Sequence, residues 1–417
     1  GTLDWLGITP NFASAGQYKS AANMFTNKDF TAPQKEEDEA LAGSLFDQIV
    51  AAIAAERKLT PDTVKGLIDQ APLHADASLK AHLVDRLEYE DEFSQRIKTH
   101  GGSEHRIVDY ANYARASVFS TIGGGDQIAV IYGEGDIQRG GEGINPFSGP
   151  NTTAMLADDM TAAFKTARDD DDVRAVILRV NSPGGSMLAS ELIGRAAELT
   201  AKKKPVVVSM SGYAASGGYL ISIPAAKIVA EPGTITGSIG VLGGKFNVTP
   251  AMQKIYTNTN AVSRGANVGM FDMWTDFTPE QSKLFQDDIM RDYQYFLSQV
   301  AAGRHISVAQ ADAVAQGRVW TGDQAVKLKL VDSLGGLDEA MAAAKGLARL
   351  APDQAVGIIE LPEKPGVLQS LASSKMVASI TQRPAARLVE PMIDLIRVAL
   401  SGHAIFSAAY CPVVPML

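Results

Sequence analysis

The feature that most constrains this chain is a succession of three small-residue turns between Asn181 and Gly240. They are NSPGGS (Asn181 to Ser186), AASGG within PVVVSMSGYAASGGYL (Pro205 to Leu220), and TGSIG within EPGTITGSIG (Glu231 to Gly240). Each follows or contains a β-branched run and ends in residues that let a backbone turn or approach another group closely. Ser216, inside AASGG, is the best nucleophile candidate in the sequence. An isolated AASGG would more often serve tight helix packing alone. Three such turns after three consecutive strand-like runs point instead to an active site.

The surrounding pattern predicts an α/β unit beginning at Asp126. QIAVIYGEG reads as a buried strand, and residues Thr152 to Thr166 as an amphipathic helix behind Asn151 as N-cap. Val173 to Val180 is largely apolar, as expected for a parallel strand covered on both faces. Ser186 to Lys202 predicts a helix, Val206 to Met210 a strand, Ala214 to Ile223 a helix and Lys227 to Ala230 a strand. Such alternation implies right-handed βα units. Thr278-Pro279-Glu280-Gln281 is a capping box with proline at the first helical position, opening a helix to about Ala302.

Upstream, Leu3 to Leu6 reads as a helix end, Ile8 to Ala13 as a short strand and GQYKSA (Gly16 to Ala21) as a loop. A long helix is expected from Pro33 to Glu56, opening on acidic residues that suit a positive helix end. Shorter helices follow at Pro61 to Gln70, Asp76 to Lys80 and Glu90 to Ile97, then a glycine-ended linker over residues 101 to 125. Near the other end, Leu388 to Leu400 can form an amphipathic helix, and Ala409 to Leu417 is apolar and proline-marked. That last segment resembles a cleavage product suited to a substrate groove; a disordered or membrane-touching tail is the plainer alternative.

The chain also repeats itself. FDQIVAAIAAERKLTPDTV (Phe46 to Val64) resembles YQYFLSQVAAGRHISVAQA (Tyr293 to Ala311), pairing Arg57 with Arg304, and LVDRL at Leu83 matches LVDSL at Leu330. Both separations are 247 residues (304 − 57 and 330 − 83). Gly16 pairs with Gly265 and Lys19 with Val268 at a separation of 249 (265 − 16 and 268 − 19). The expectation is the back part of one repeat followed by a complete second, with no copy of the Ser216 region in the first.

Composition narrows the function. At 417 residues, 46% hydrophobic and 20% charged, the chain has ample material for more than one globular unit. A net charge of −9 without a long basic run argues against a nucleic-acid partner. Cys411 is the only cysteine, so no intrachain disulfide forms, and six scattered histidines show no metal-ligand spacing. No stretch reaches 18 consecutive apolar residues, so the chain reads as soluble. No metal or cofactor is implied.

A serine hydroxyl needs a base. The glycine turns hold no His or Asp, and AASGG departs from the GxSxG elbow. A lysine serves if burial holds it neutral. Lys19, Lys245 and the run Lys202 to Lys204 are candidates, the run reading as a solvated helix end; the residues alone leave Lys19 and Lys245 both open.

RVNSPGGS, SMSGYAASGGYLIS, TITGSIG and GRVWTGDQA (Gly317 to Ala325) together resemble the signal peptide peptidase A, or protease IV, family in its long tandem form. The resemblance runs from about Ser14 to Leu350. It implies a Clp-protease/crotonase-like fold of stacked ββα units, tandem with an incomplete first repeat. It also implies a Ser-Lys dyad split between repeats: Ser216 as nucleophile and Lys19 as base, since Val268 stands where single-repeat relatives carry their lysine. Ser238 is implied as a hydrogen-bond partner of the lysine, and the backbone N–H groups of Gly185 and Gly217 as an oxyanion hole. Two preorganised donors would contribute about 3 kcal/mol each.

The division expected is residues 1–110 (the back of repeat one, carrying the lysine), 111–350 (repeat two, carrying the serine) and 351–417 (an extension). The implied activity is that of a serine endopeptidase acting on remnant signal peptides or other membrane-derived peptides. It would work as a homo-oligomer, in the long form a dome-shaped tetramer, at the periplasmic face of a bacterial inner membrane, held there by a segment absent from this chain. A crotonase-like acyl-CoA enzyme and a non-catalytic assembly scaffold are the alternatives. The first would need a pocket carboxylate and a CoA site; the second would follow if Lys19 were displaced.

Overall fold

The computed structural model describes residues 1–100, 107, 125–140, 154–262 and 264–362, and the backbone of 406–410. The chain divides into two compact units: residues 1–38 with 126–417, and residues 39–125.

The larger unit carries strands β1 (Thr9–Ala15), β2 (Gln127–Glu134), β3 (Asp136–Gln138), β4 (Ala154–Leu156), β5 (Val173–Ser182), β6 (Gly184–Ser186) and β7 (Val206–Ala215). These are followed by β8 (Lys227–Ala230), β9 (Ile235–Gly237), β10 (Val241–Asn247), β11 (Val319–Thr321), β12 (Ser333–Leu334), β13 (Gly357–Leu361) and β14 (Phe406–Tyr410). Among the described residues they form two sheets. One runs β11-β9-β7-β5-β2-β13, with β8 and β12 beside β7; the other runs β1-β10-β14-β6-β3-β4.

The central strands β2, β5 and β7 are parallel and buried on both faces, which explains their near-continuous apolar sequence. Alternate residues point to opposite layers. Ala129, Ile131, Val176 and Leu178 join the core that includes Phe164 and Ile193 on helices Ala157–Asp169 and Met187–Ala201. Ile128, Val130, Ala175 and Ile177 face the other way, with Ala340 and Ala344 of helix Leu337–Leu347. Each fully buried Ile, Leu or Val contributes roughly 1.5–3 kcal/mol of transfer free energy. The α/β stacking expected from the resemblance is the architecture observed.

Among the boundaries that differ from expectation, three have a cause in strand pairing. The first helix of the α/β unit begins at Ala157, because Ala154–Leu156 pairs in parallel with β3; Asn151 lies outside the described residues. β7 extends to Ala215, since Tyr213, Ala214 and Ala215 pair with β9. The helix expected from Ala214 therefore shrinks to Gly217–Leu220. Leu388 to Leu400 and Cys411 to Leu417 also fall outside the described residues. Just before Cys411, β14 lies antiparallel to both β10 and β6, filling the place between them.

The smaller unit is helical where described. Helices Pro61–Ile68, Ala75–Lys80 and Glu90–Lys98 follow the end of helix Ala32–Arg57. Val50, Ala54 and Val64 form its core with Ile53, Leu59 and Ile68. Thr60 caps Pro61–Ile68 by accepting a hydrogen bond from the Thr63 N–H, and Arg57 pairs with Asp85 at 2.7 Å.

Candidate active site

Three strand ends converge to make the site. β7 stops at Ala215 because Ser216 takes φ 57°, ψ −117°, a conformation that an L-residue adopts only under constraint. The constraint is visible: the Ser216 N–H donates to the Gly237 carbonyl at 2.7 Å, and the Ser216 carbonyl accepts the Leu220 N–H from helix Gly217–Leu220 at 2.9 Å. The Ser216 side chain is fully buried. Strained backbone of this kind, held by its surroundings, aims a side chain away from the strand direction.

β10 brings up the lysine. It pairs antiparallel with β1 in a register that sets Ala15 opposite Val241. Continuing both chains past that pair, the turn after Ala15 reaches Lys19 while the segment before Val241 carries Ser238. The Lys19 Nζ lies 3.0 Å from Ser216 Oγ, 2.9 Å from Ser238 Oγ and 3.0 Å from the Ser238 carbonyl. Lys19 is 4% exposed. Ser238, like Ser216, sits at positive φ (52°), with its N–H donating to the Arg318 carbonyl at 2.7 Å.

The two glycines proposed for the oxyanion hole are also neighbours. A Cβ on Gly217 would lie 3.4 Å from the Gly185 nitrogen and 2.4 Å from Ser190 Oγ. A Cβ on Gly185 would lie 2.2 Å from the Ile137 carbonyl oxygen, and its φ of 150° suits glycine. Neither position tolerates a side chain without displacing a neighbour.

The other lysine candidates lie elsewhere. Lys245 is equally buried, but its Nζ sits 4.6 Å from the Phe277 ring centroid and has no hydrogen-bond partner. Burial lowers its pKa, against the pull of Asp272 and Asp276. Lys202 and Lys203 are exposed, pairing with Glu198 and Asp169, and Lys204 bonds the carbonyls of Ala167 and Asp170. Among the described residues no group of three His, Cys, Asp or Glu could hold a metal ion.

Two residues near the site were not legible as such. Glu37 belongs to the acidic run near the start of helix Ala32–Arg57, where the sequence gives no sign of a covering partner; it is buried, accepting the Val319 N–H at 2.5 Å. Arg318 stacks over the rings of Tyr18 and Trp320, at 4.9 and 4.4 Å, and pairs with Glu36 at 2.7 Å. The motif GRVWTGDQA contained Arg318, but only the fold sets it against Tyr18.

A buried serine beside a buried lysine, on an α/β core with paired glycine turns, defines the class: a Clp-protease-type fold bearing a Ser-Lys constellation. The model of peptidase family S49 matches residues 1–103 and 198–351, more than half of the chain. The chain belongs to peptidase family S49. It is 32% identical over 385 residues to "Serine protease SPPA, chloroplastic" of Arabidopsis thaliana, covering 90% of this chain and 56% of that protein. It is 36% identical over 364 residues to "Protease 4" of Salmonella typhi (84% and 57%), and 32% identical over 374 residues to "Protease 4" of Haemophilus influenzae (85% and 58%). The chain thus spans little more than half the length of these relatives.

Proposed function

We propose that the protein is a serine endopeptidase with Ser216 as nucleophile and Lys19 as general base. The observation that carries this reading is the set of three oxygens around Lys19 Nζ. A neutral amine has two N–H donors and one lone pair. Donating to the Ser238 carbonyl and Oγ leaves the lone pair directed at the Ser216 hydroxyl. Burial favours the uncharged amine that a base requires.

Ser216 Oγ then attacks the scissile carbonyl carbon as its proton passes to Lys19. The oxyanion is received by the N–H groups of Gly185 and Gly217. Collapse breaks the C–N bond, and Lys19 returns the proton to the departing amine. Water, deprotonated by Lys19 in turn, hydrolyses the Ser216 ester.

An extended peptide is the substrate that fits. β14 adds antiparallel strand pairing to β6, opposite Gly184, Gly185 and Ser186, and to β10, opposite Leu242, Gly243 and Gly244. Recognition by strand addition places a peptide along the strand that carries Gly185. Remnant signal peptides and other membrane-derived peptides are the substrate class. The periplasmic face of a bacterial inner membrane is the proposed place of action; among the described residues no helix is long and apolar enough to cross a membrane.

A homo-oligomer, a tetramer in the long form, is supported by the apolar side chains that the smaller unit exposes, among them Ile49, Leu87 and Phe93. Sedimentation at micromolar concentration should give an assembly; a stable monomer would refute this part of the reading. For the chemistry, a phosphonylating probe should label Ser216, and Ser216→Ala should remove both label and peptide cleavage. Labelling elsewhere with cleavage intact in Ser216→Ala overturns the assignment.

A further inference from the structure

The dyad's lysine does not reach Ser216 from a strand of its own; it is held by a third piece of chain. The segment Gln316 to Val319 touches both sides of the site. The Tyr18 N–H donates to the Gln316 carbonyl at 2.9 Å, which anchors the Lys19 turn. The Gly317 N–H donates to the Ile239 carbonyl at 2.8 Å, and the Ser238 N–H to the Arg318 carbonyl at 2.7 Å. Gly317, at φ 79°, packs so closely that a Cβ there would lie 2.6 Å from the Lys19 nitrogen and 2.7 Å from its Cβ. Lys19 and Ser238 are therefore spaced by this segment.

One side chain pins the end of that segment. Glu37, 5% exposed, accepts the Val319 N–H where β11 begins its pairing with β9. We propose that Glu37 is a positioning residue for the Lys19–Ser216 pair: it fastens the segment that spaces Lys19 from Ser238, and its charge biases the protonation of Lys19. This rests on the dyad reading above.

The charges that act on Glu37 come from three pieces of chain. They are Lys19 from the turn after β1, Arg318 from the start of β11, and Asp38 on its own helix; neighbouring Glu36 is engaged by Arg318. Burial pushes the Glu37 carboxyl up to about 7, opposed first by the Val319 N–H and then by Lys19 and Arg318, while Asp38 adds to the rise. Glu37 thus changes charge in the neutral range. Ionised, it favours the ammonium form of Lys19; neutral, it does not.

The test compares two variants with the wild-type chain on a fluorogenic peptide, following kcat, KM and the pH profile. Glu37→Gln keeps an oxygen to accept the Val319 N–H and removes the charge. Its alkaline plateau should match wild type, with the acid limb moved to lower pH by roughly half a unit. Glu37→Ala removes the clasp as well, and its plateau kcat should fall roughly tenfold with KM little changed. A Gln variant whose profile superimposes on wild type, or which fails to fold, overturns the proposal; it decides the matter should the Ala variant not fold. Lys19→Ala is measured alongside. If it retains turnover, the dyad itself fails; if it is inactive while the Gln profile is unmoved, Glu37 alone is rejected.

Discussion

The two repeats share backbone and differ in what buries it. At the 249-residue offset, Gly16 and Gly265 have nearly the same φ, 103° and 104°. At the 247-residue offset, Lys58 matches His305 (54° and 55°) and His82 matches Lys329 (60° and 61°). Thr60 and Ser307 cap equivalent helices, and the pair Arg57–Asp85 recurs as Arg304–Asp332. Yet Lys19 is 4% exposed and its counterpart Val268 is 67% exposed. The Arg304 side chain is likewise more deeply buried than that of Arg57. Local sequence reproduces turns and caps; burial comes from partners. Asp332 also accepts the Ile228 N–H from β8, and the Leu330 carbonyl accepts the Tyr219 hydroxyl from helix Gly217–Leu220.

The sharpest way to break this comparison is at the paired positions Lys19 and Val268. Lys19→Ala should lower peptide turnover roughly a thousandfold, the scale of a lost general base, while Val268→Ala leaves turnover unchanged. Equal effects at both positions would show that the repeats contribute alike, against the split dyad. The ion pairs come next. Arg304 is itself buried and also donates to the Lys329 carbonyl, so its removal loses that bond and the pair with the partly exposed Asp332, and should cost about 1–2 kcal/mol. Removing Arg57, whose partner is exposed, should cost less than about 1 kcal/mol. Thermal melts of Arg304→Ala and Arg57→Ala decide this; similar losses would erase the distinction drawn from burial.

Lys245 offers the smallest effect and the cleanest control. It shares the depth of Lys19 without oxygen partners for its amine, so Lys245→Met should keep peptidase activity and change stability by less than about 1 kcal/mol in either direction. The sign with pH is definite. Burial lowers the folded-state pKa below the ordinary lysine value of 10.5, so the native state binds fewer protons than the unfolded one. The charged amine is penalised at neutral pH, and the penalty fades as pH rises toward 10.5. Wild type should therefore gain stability relative to Lys245→Met between neutral and alkaline pH; a gap that is constant with pH contradicts the burial argument.

Much of the site was legible because its demands are local. A serine that must turn out of a strand needs small neighbours, and AASGG and TGSIG display them. Apolar β-branched runs announced the parallel core in the same way. The choice between Lys19 and Lys245 was not local. Both are buried lysines beside β-strands, and only the β1–β10 register, together with the repeat alignment, separates them. Ala214 and Ala215 read as helix by composition, but pairing with β9 holds them extended. Glu37 was hidden for a similar reason: an acidic helix start describes an exposed carboxylate equally well until β11 covers it.

The separation of Lys19 from Ser216 along the chain, 197 residues, has a kinetic consequence. Contacts so distant in sequence form only after the intervening chain has been ordered, because loop closure must be met before they reward it. In a chain made from its N-terminus, the lysine emerges long before the serine. Between them come β2, β5 and the whole of β7, the strands on which Ser216 is mounted. Under the proposed mechanism a half-made or partly opened molecule holds a serine without a base, or a base without a serine. Proteolytic capacity then arises only with completed folding, and is lost with the first opening that parts β1 from β10.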